Sequence, residues 1–475
     1  MSGSVWLPPG ARPDTLPSIP RQRTPSWARP DPLDELAERL DDFVAAAVHP
    51  DEIAALLESD GMSDDQIRER YGLKNSFALA EELYERVERR YPEPEGPVHD
   101  PWQVGLLGCL LRGVVFALPG FGYVLGAPLM AGPRDLGLPA GTVPLLAGAL
   151  VGWTWNQGLA HRAYSWLGLG DRTAAKRSLL LGAPVGVVLG ALVALLVAGT
   201  GDMTGVAFAA GQSLYLGAST VLLVLGRERA LLLALLPMAA GAGLALVHPM
   251  PDAARIVLLL SSLAAVAILG LREVAPRGDE PQGTSSRRTT MGPQLFSSLP
   301  YALFGLGSGV LVLYAALGDA LAAVALTLSM GPAEWVLHRF RSGSLAGLRN
   351  TSTARAFWRT TATTLVECLT VYLVTLLALS LAMSALWPHA PDATGVRLAG
   401  LLLLGMVMWT GLLLQSFGAI LSATTVCCAA ALTQTLALLT RTGDPYWVGL
   451  TVYGTAAAAQ AALVCALLGR ATAHR

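Results

Sequence analysis

The 475-residue chain is 53% hydrophobic and only 14% charged, with a formal net charge of −1. Soluble domains carry roughly 25% charged residues, so a soluble fold is excluded for most of this chain. A net charge near zero says nothing about partners. The distribution of the charges does.

Residues 1–30 are rich in Pro, Arg and Ser, a composition that cannot bury enough apolar surface to offset chain entropy, and are expected to be a disordered tail. They contain no apolar run of signal-peptide length, so no cleavable signal is expected. Residues 31–100 form a small acidic helical segment followed by a linker. Residues 31–48 place Leu33, Leu36, Leu40 and Phe43–Val44 on one helical face, and three further helices open at Asp51, Ser63 and Ser76 as caps. Turns at Gly61 and at 72–75 give a pattern similar to helix-turn-helix bundles. The excess of acid over base removes the basic face that phosphates need, so no nucleic-acid partner is expected. A cytoplasmic protein partner for residues 31–91 fits better, with an inert spacer as the alternative. Pro92, Pro94 and Pro97 mark the linker to the membrane.

From residue 101 the chain reads as an all-α polytopic membrane protein. A helix crossing the bilayer needs about 20 apolar residues. Twelve runs qualify: 104–128, 139–160, 178–199, 204–225, 230–248, 254–271, 296–317, 320–337, 360–386, 396–415, 418–440 and 446–468. The break between the tenth and eleventh is the weakest, marked only by Gln415, Ser416 and Gly418.

With the N-terminus inside, the inner loops collect Arg162, Arg172, Lys176, Arg177, Arg227, Arg229, Arg272, Arg277, Arg287, Arg288, Arg339, Arg341, Arg349, Arg355 and Arg359. The outer loops hold only Arg134, Arg255, Arg397 and Arg441, beside Asp135, Asp202, Asp252, Asp319, Asp392 and Asp444. This alternation is the positive-inside pattern of a multi-pass protein of the inner (plasma) membrane with both termini cytoplasmic.

The polar stretch 272–294 divides the spans into lobe 1 (101–271) and lobe 2 (295–475). Six is even, so both lobes enter the membrane in the same sense, as two parallel six-helix lobes. A repeat supports the division. Residues 157–172 and 334–349 align without gaps, with five identities in sixteen positions, including His161 with His338 and Ser165 with Ser342. Both copies fall on the second inner-facing segment of their half, which reads as a long loop.

That first copy continues as Leu167-Gly168-Leu169-Gly170-Asp171-Arg172-Thr173-Ala174-Ala175-Lys176-Arg177 ahead of an apolar helix. It resembles the segment between the second and third helices of the multidrug/oligosaccharidyl-lipid/polysaccharide exporters. Leu167, Gly168, Gly170, Asp171, Ala174, Ala175 and Arg177 carry the likeness, and the second copy lacks the Gly-Asp pair. The resemblance implies two lobes around a cavity that opens alternately to each side. It also implies export or flipping of a polysaccharide, a lipid-linked saccharide or an amphipathic molecule. The polysaccharide and lipid-flippase branch fits best, because the first span lacks an acidic cation site. A major-facilitator-type transporter, or a membrane scaffold or sensor with a regulatory N-terminal segment, are the alternatives.

Ionisable residues within spans cost roughly 2.5–3.5 kcal/mol on insertion scales. Arg112, about eight residues and roughly 12 Å into the first span, suits an anionic or saccharide-containing substrate. Its alternative is a structural pair with Glu367 of the ninth span. Asn156, Gln157 and Gln212 are further substrate-binding candidates; Asn156 and Gln212, with Gln415, Gln434 and Gln460, also suit bonds between helices. Glu334, His338, His161 and Glu367 are candidates for coupling or for an inner gate, since 334 with 338 and 157 with 161 lie one turn apart. Pro119 and Pro300, each followed by glycines, permit bending of the first and seventh spans. No third ligand joins Glu334 and His338, all five cysteines sit in apolar runs, and no acid–base cluster marks an enzyme. No metal, cofactor or catalytic residue is therefore expected.

Overall fold

The computed structural model describes residues 31–88, 90, 105–130, 138–139, 141–199, 201–276, 295–350, 353–386 and 395–468. The tail 1–30, most of the proline linker and most of 272–294 lie outside them. The regular elements are all helical, and the chain falls into two compact units, Met1–His99 and Asp100–Arg475.

The first unit contains α1 (Pro32–Arg39), α2 (Asp41–Ala46), α3 (Pro50–Ser59), α4 (Asp64–Tyr71) and α5 (Ser76–Arg86). The caps are Asp31, His49, Ser63 and Asn75. Only Ser63 matches a sequence expectation; it forms a capping box with Gln66. Asn75 caps α5 in place of Ser76 because its side chain reaches the Ala78 amide at 2.9 Å. Leu33, Leu36, Val44, Ile53, Leu57, Ile67, Leu79 and Leu83 make a closed core, while Phe43 is exposed. Arg86 ties α5 to α1 through Asp31 and Asp34. The Leu33 amide and the Arg86 guanidinium together hold the Asp31 carboxyl below its usual range.

The second unit opens with α6 (Leu106–Ala117), α7 (Gly120–Gly126) and a 3₁₀ turn (Ala127–Met130), which together make the first span. Pro119 separates α6 from α7, because proline cannot continue the backbone bonding of a helix. Spans two to six are α8 (Thr142–Gly168), α9 (Arg172–Ala198), α10 (Met203–Val224), α11 (Glu228–Val247) and α12 (Asp252–Val274). Span seven is a 3₁₀ turn (Leu295–Ser298) with α13 (Leu299–Gly318). Span eight is α14 (Ala320–Leu328) with α15 (Met330–Asn350). Spans nine to twelve are α16 (Ala354–Leu386), α17 (Gly395–Ser416), α18 (Ile420–Leu439) and α19 (Pro445–Leu468).

Eleven of these spans are long and apolar enough to cross a membrane by composition alone. The remaining one, α8, is 27 residues long and carries Thr154, Asn156, Gln157, His161 and Arg162. It packs against α9, α10 and α13, so protein rather than lipid surrounds much of it. The chain is thus an all-α polytopic membrane protein.

The two halves share one pattern of neighbours. The second span lies against the third and fourth, and the eighth against the ninth and tenth. The same holds for four with six and ten with twelve, one with five and seven with eleven, five with six and eleven with twelve. Turn chemistry repeats as well. Gly226 (φ 72°) lies two residues past the end of α10, and Gly418 (φ 79°) two residues past the end of α17. In both, the residue after the glycine donates five residues back, Arg227 to Leu222 and Ala419 to Leu414. This is a Schellman stop, whose left-handed position favours glycine. Gly418 therefore supplies the break between spans ten and eleven that hydropathy leaves faint.

One expectation is corrected. The segments 161–177 and 338–359 are not long loops. α8 runs on to Gly168 and α9 begins at Arg172, joined through Gly170 (φ 78°), with Asp171 accepting from the Ala174 amide at 2.8 Å. α15 and α16 likewise extend to Asn350 and from Ala354. Charged residues end an apolar run but do not end a helix, so the helices project beyond their apolar portions.

Each half has its own core. Buried clusters built on Val115–Val274 contain no residue of the second half, and the cluster from Phe304 to Leu468 contains none of the first. Trp409 is fully buried at the centre of lobe 2, stacked near Tyr372 and donating to the Ala333 carbonyl at 3.3 Å. Trp409→Ala is expected to cost about 3–5 kcal/mol. Hydrogen exchange should show protection falling in spans seven to twelve and unchanged in spans two to six. Equal loss in both would contradict separate cores.

Candidate functional site

The halves meet through two helix pairs. α6 of the first span packs on α14 and α15 of the eighth, and α8 of the second packs on α13 of the seventh. Exchanging the halves turns the first contact (one with eight) into the second (seven with two). The interface is therefore isologous, the arrangement a two-fold relation between repeats produces. α7, beyond Pro119, packs instead on α11 and α12 of its own half. The bend at Pro119 thus divides the first span into a segment that crosses to the other lobe and one that stays at home.

The contact between α6 and α15 is backbone against backbone. A Cβ on Gly331 would lie 2.5 Å from the Cys109 carbonyl oxygen, and one on Gly113 3.0 Å from the Gly331 nitrogen and the Leu328 oxygen. Leu328 lies four residues before Pro332, which has no N–H to offer it. Its carbonyl is left facing the Gly113 backbone. Small residues spaced Cys109-x-x-x-Gly113 allow this approach, as in other close helix pairs in membranes. On the other pair, Gly158 meets Ala302, Gly305 meets Gln157, and Gly309 meets Leu150 and Trp153.

Immediately before Gly113, Arg112 extends from α6 between two carboxylates. Its Nε donates to Glu228 at 2.6 Å, and its Nη1 donates to Glu334. Glu228 is the first residue of α11 in the same lobe; Glu334 is on α15 of the other. All three side chains are partly buried, with 38% of Arg112 and 24% of each carboxylate exposed. His338 lies one turn beyond Glu334, its Nε2 3.7 Å from the Glu334 carboxylate. One guanidinium thus joins lobe 1 to lobe 2 with a titratable imidazole beside it.

The repeat-equivalent positions face the other helix pair. Gln157, the counterpart of Glu334, is exposed and presses on Gly305. His161, the counterpart of His338, stacks on Tyr301 with centroids 3.6 Å apart and bonds Ser298 at 3.0 Å. Arg112, Glu334, His338, Gln157 and His161 are therefore all brought to the lobe interface.

Three candidates are not. Asn156 is buried, with its amide donating to the Gly152 carbonyl of its own helix; its Oδ1 has no partner among the described residues. Gln212 lies within lobe 1 beside Tyr123. Glu367 is exposed on α16 in a crevice with Arg339, and Arg112 is paired with Glu228 and Glu334 rather than with it. Of the remaining amides, Gln434 bonds Tyr453 and Gln460 bonds Thr410, both between helices as expected.

Sequence reasoning missed Glu228. It sits between Arg227 and Arg229 and was absorbed into a basic loop. The available signal was an acid at the first position of a helix, where the helix dipole favours it.

No family model matches this chain, and no curated protein matches it in sequence.

Breaking a half-buried pair should cost about 1–3 kcal/mol, between exposed and buried pairs. Arg112→Gln and Glu334→Gln are each expected to lower the melting temperature, and the double substitution to lower it by less than the sum of the two. Strict additivity would show that the two residues do not interact.

Proposed function

We propose that the chain is a transporter working by alternating access between its two lobes, with Arg112, Glu228 and Glu334 as the gate at one end. The carrying observation is the ion pair from Arg112 to Glu334 between lobes whose cores are separate. An interface of close glycine contacts, one charge cluster and the His161–Tyr301 stack, crossed by no buried core cluster, lets two rigid bodies rock, which an interface of interdigitated core residues would resist.

The end that carries the gate is also the basic end. Arg162, Arg172, Lys176, Arg177, Arg227, Arg229, Arg272, Arg339, Arg341, Arg355 and Arg359 lie toward it, and Asp202, Asp252, Asp319 and Asp444 lie toward the other. The positive-inside rule makes this the cytoplasmic side of the cell membrane. The gate then closes the cytoplasmic end, and transport requires it to open.

Gln157 and His161, exposed or half-buried beside the aromatic rings of Trp153 and Tyr301, offer hydrogen bonds and flat apolar faces, a combination suited to sugar rings. Membership of the multidrug/oligosaccharidyl-lipid/polysaccharide exporters rests on the two six-helix repeats and on the segment from Leu167 to Arg177. Gly170 and Asp171 in that segment act as a helix stop and a helix cap, roles any tight turn requires, so they add less to the likeness than their pattern suggests. The substrate class on this reading is a polysaccharide or lipid-linked saccharide.

The test uses the purified protein in vesicles loaded with a lipid-linked saccharide. Wild type should move it across the bilayer, and Arg112→Ala should lower the rate at least tenfold at equal membrane abundance. The same substitution should increase labelling of a cysteine placed at Ser298, buried in the closed interface. Unchanged labelling together with full transport would contradict the gate.

A further inference from the structure

Lobe 2 carries a second pair of charges that the gate does not use. Arg339 of α15 and Glu367 of α16 both line a crevice of about 370 Å³, with Val336, Val366, Cys368, Thr370 and Val371. Both charged residues are exposed, and among the described residues no ion pair joins them. The guanidinium of Arg339 is steadied over the Trp335 ring, 5.6 Å from its centroid.

Depth separates this pair from a coupling site. Glu367 is nineteen residues from the end of α16 at Leu386, and Arg339 is nineteen residues from the start of α14 at Ala320. At about 1.5 Å per residue both lie roughly 28 Å from the far ends of their helices. A hydrocarbon core is about 30 Å thick. The two charges therefore share one level, at the headgroup boundary on the basic side. Beside Glu367, Val366 is 62% exposed, and one turn from Glu367 toward the bilayer Val371 is 46% exposed, so the outward-facing wall is apolar. Val336 and Cys368 form a buried floor.

An occupant must match a cation and an anion side by side at headgroup level, with an acyl chain on the apolar wall. We propose that this crevice binds a zwitterionic aminophospholipid, its phosphate on Arg339 and its primary ammonium on Glu367. A planar guanidinium suits a phosphate. A carboxylate accepts charge-assisted hydrogen bonds from an ammonium, which a quaternary choline cannot donate. An anionic lipid satisfies Arg339 but faces repulsion from Glu367. The site is independent of the transport reading, since it requires only the bilayer.

The test is retention of added lipid by the delipidated full-length protein, read by native mass spectrometry with phosphatidylethanolamine, phosphatidylcholine and phosphatidylglycerol of the same acyl chains. Wild type should retain phosphatidylethanolamine several-fold better than either other lipid. Glu367→Gln should erase the advantage over phosphatidylcholine, and Glu367→Lys should turn the preference to phosphatidylglycerol. Arg339→Gln should weaken all three. Equal retention of phosphatidylethanolamine and phosphatidylcholine by wild type, a wild-type preference for phosphatidylglycerol, or a preference unchanged by Glu367→Gln would each overturn the proposal. If a variant folds poorly, the wild-type comparison alone decides.

Discussion

A single guanidinium shared by carboxylates on two separately cored lobes is the interaction on which this architecture turns. Arg112 reaches Glu228 in its own half and Glu334 in the other. Half-buried within the first span, it cannot be left alone cheaply: a lone charge inside the bilayer costs roughly 2.5–3.5 kcal/mol on insertion scales, and each carboxylate offsets part of that cost. Part-exposed, the three side chains hold one end of the interface while keeping contact with solvent. A cluster deep in a dry core would have only the first property.

The glycine contacts explain why the cluster can form. Arg112 can bridge to Glu334 only because α6 and α15 approach at backbone distance where Cys109 and Gly113 meet Gly331. Pro119 directs α6 across the interface and lets α7 return to its own lobe. Pro332 leaves the Leu328 carbonyl without its helical partner beside Gly113. Sequence, backbone geometry and electrostatics thus converge on one short stretch of the first and eighth spans.

Much of this was legible in the chain. Composition and charge alternation gave the spans, and the ungapped repeat gave the two halves, because apolar length and loop charge follow directly from bilayer physics. The repeat also singled out Gln157 and His161, which lie on the α8–α13 pair, and Glu334 and His338, which lie on α15 of the other pair. Other features were not legible. Charged residues after Ala160 and Leu337 hid the helical continuation of α8 and α15, because hydropathy marks the membrane and not the helix end. Glu228 was masked by its arginine neighbours. Depth alone offers Glu367 as the alternative partner of Arg112, whereas pairing depends on which helices touch, a long-range fact absent from any local pattern.

The central claim is that the basic end is clasped by Arg112 and opens when the clasp is removed. It is tested most directly by the distance between spin labels at Leu169, an exposed position of lobe 1, and Arg355, an exposed position of lobe 2. Labels are attached after replacement of Cys428 and Cys465 and read by pulsed dipolar spectroscopy in a bilayer. The account predicts a narrow, short distribution that gains a longer population on Arg112→Ala. An identical distribution in the two proteins would contradict it.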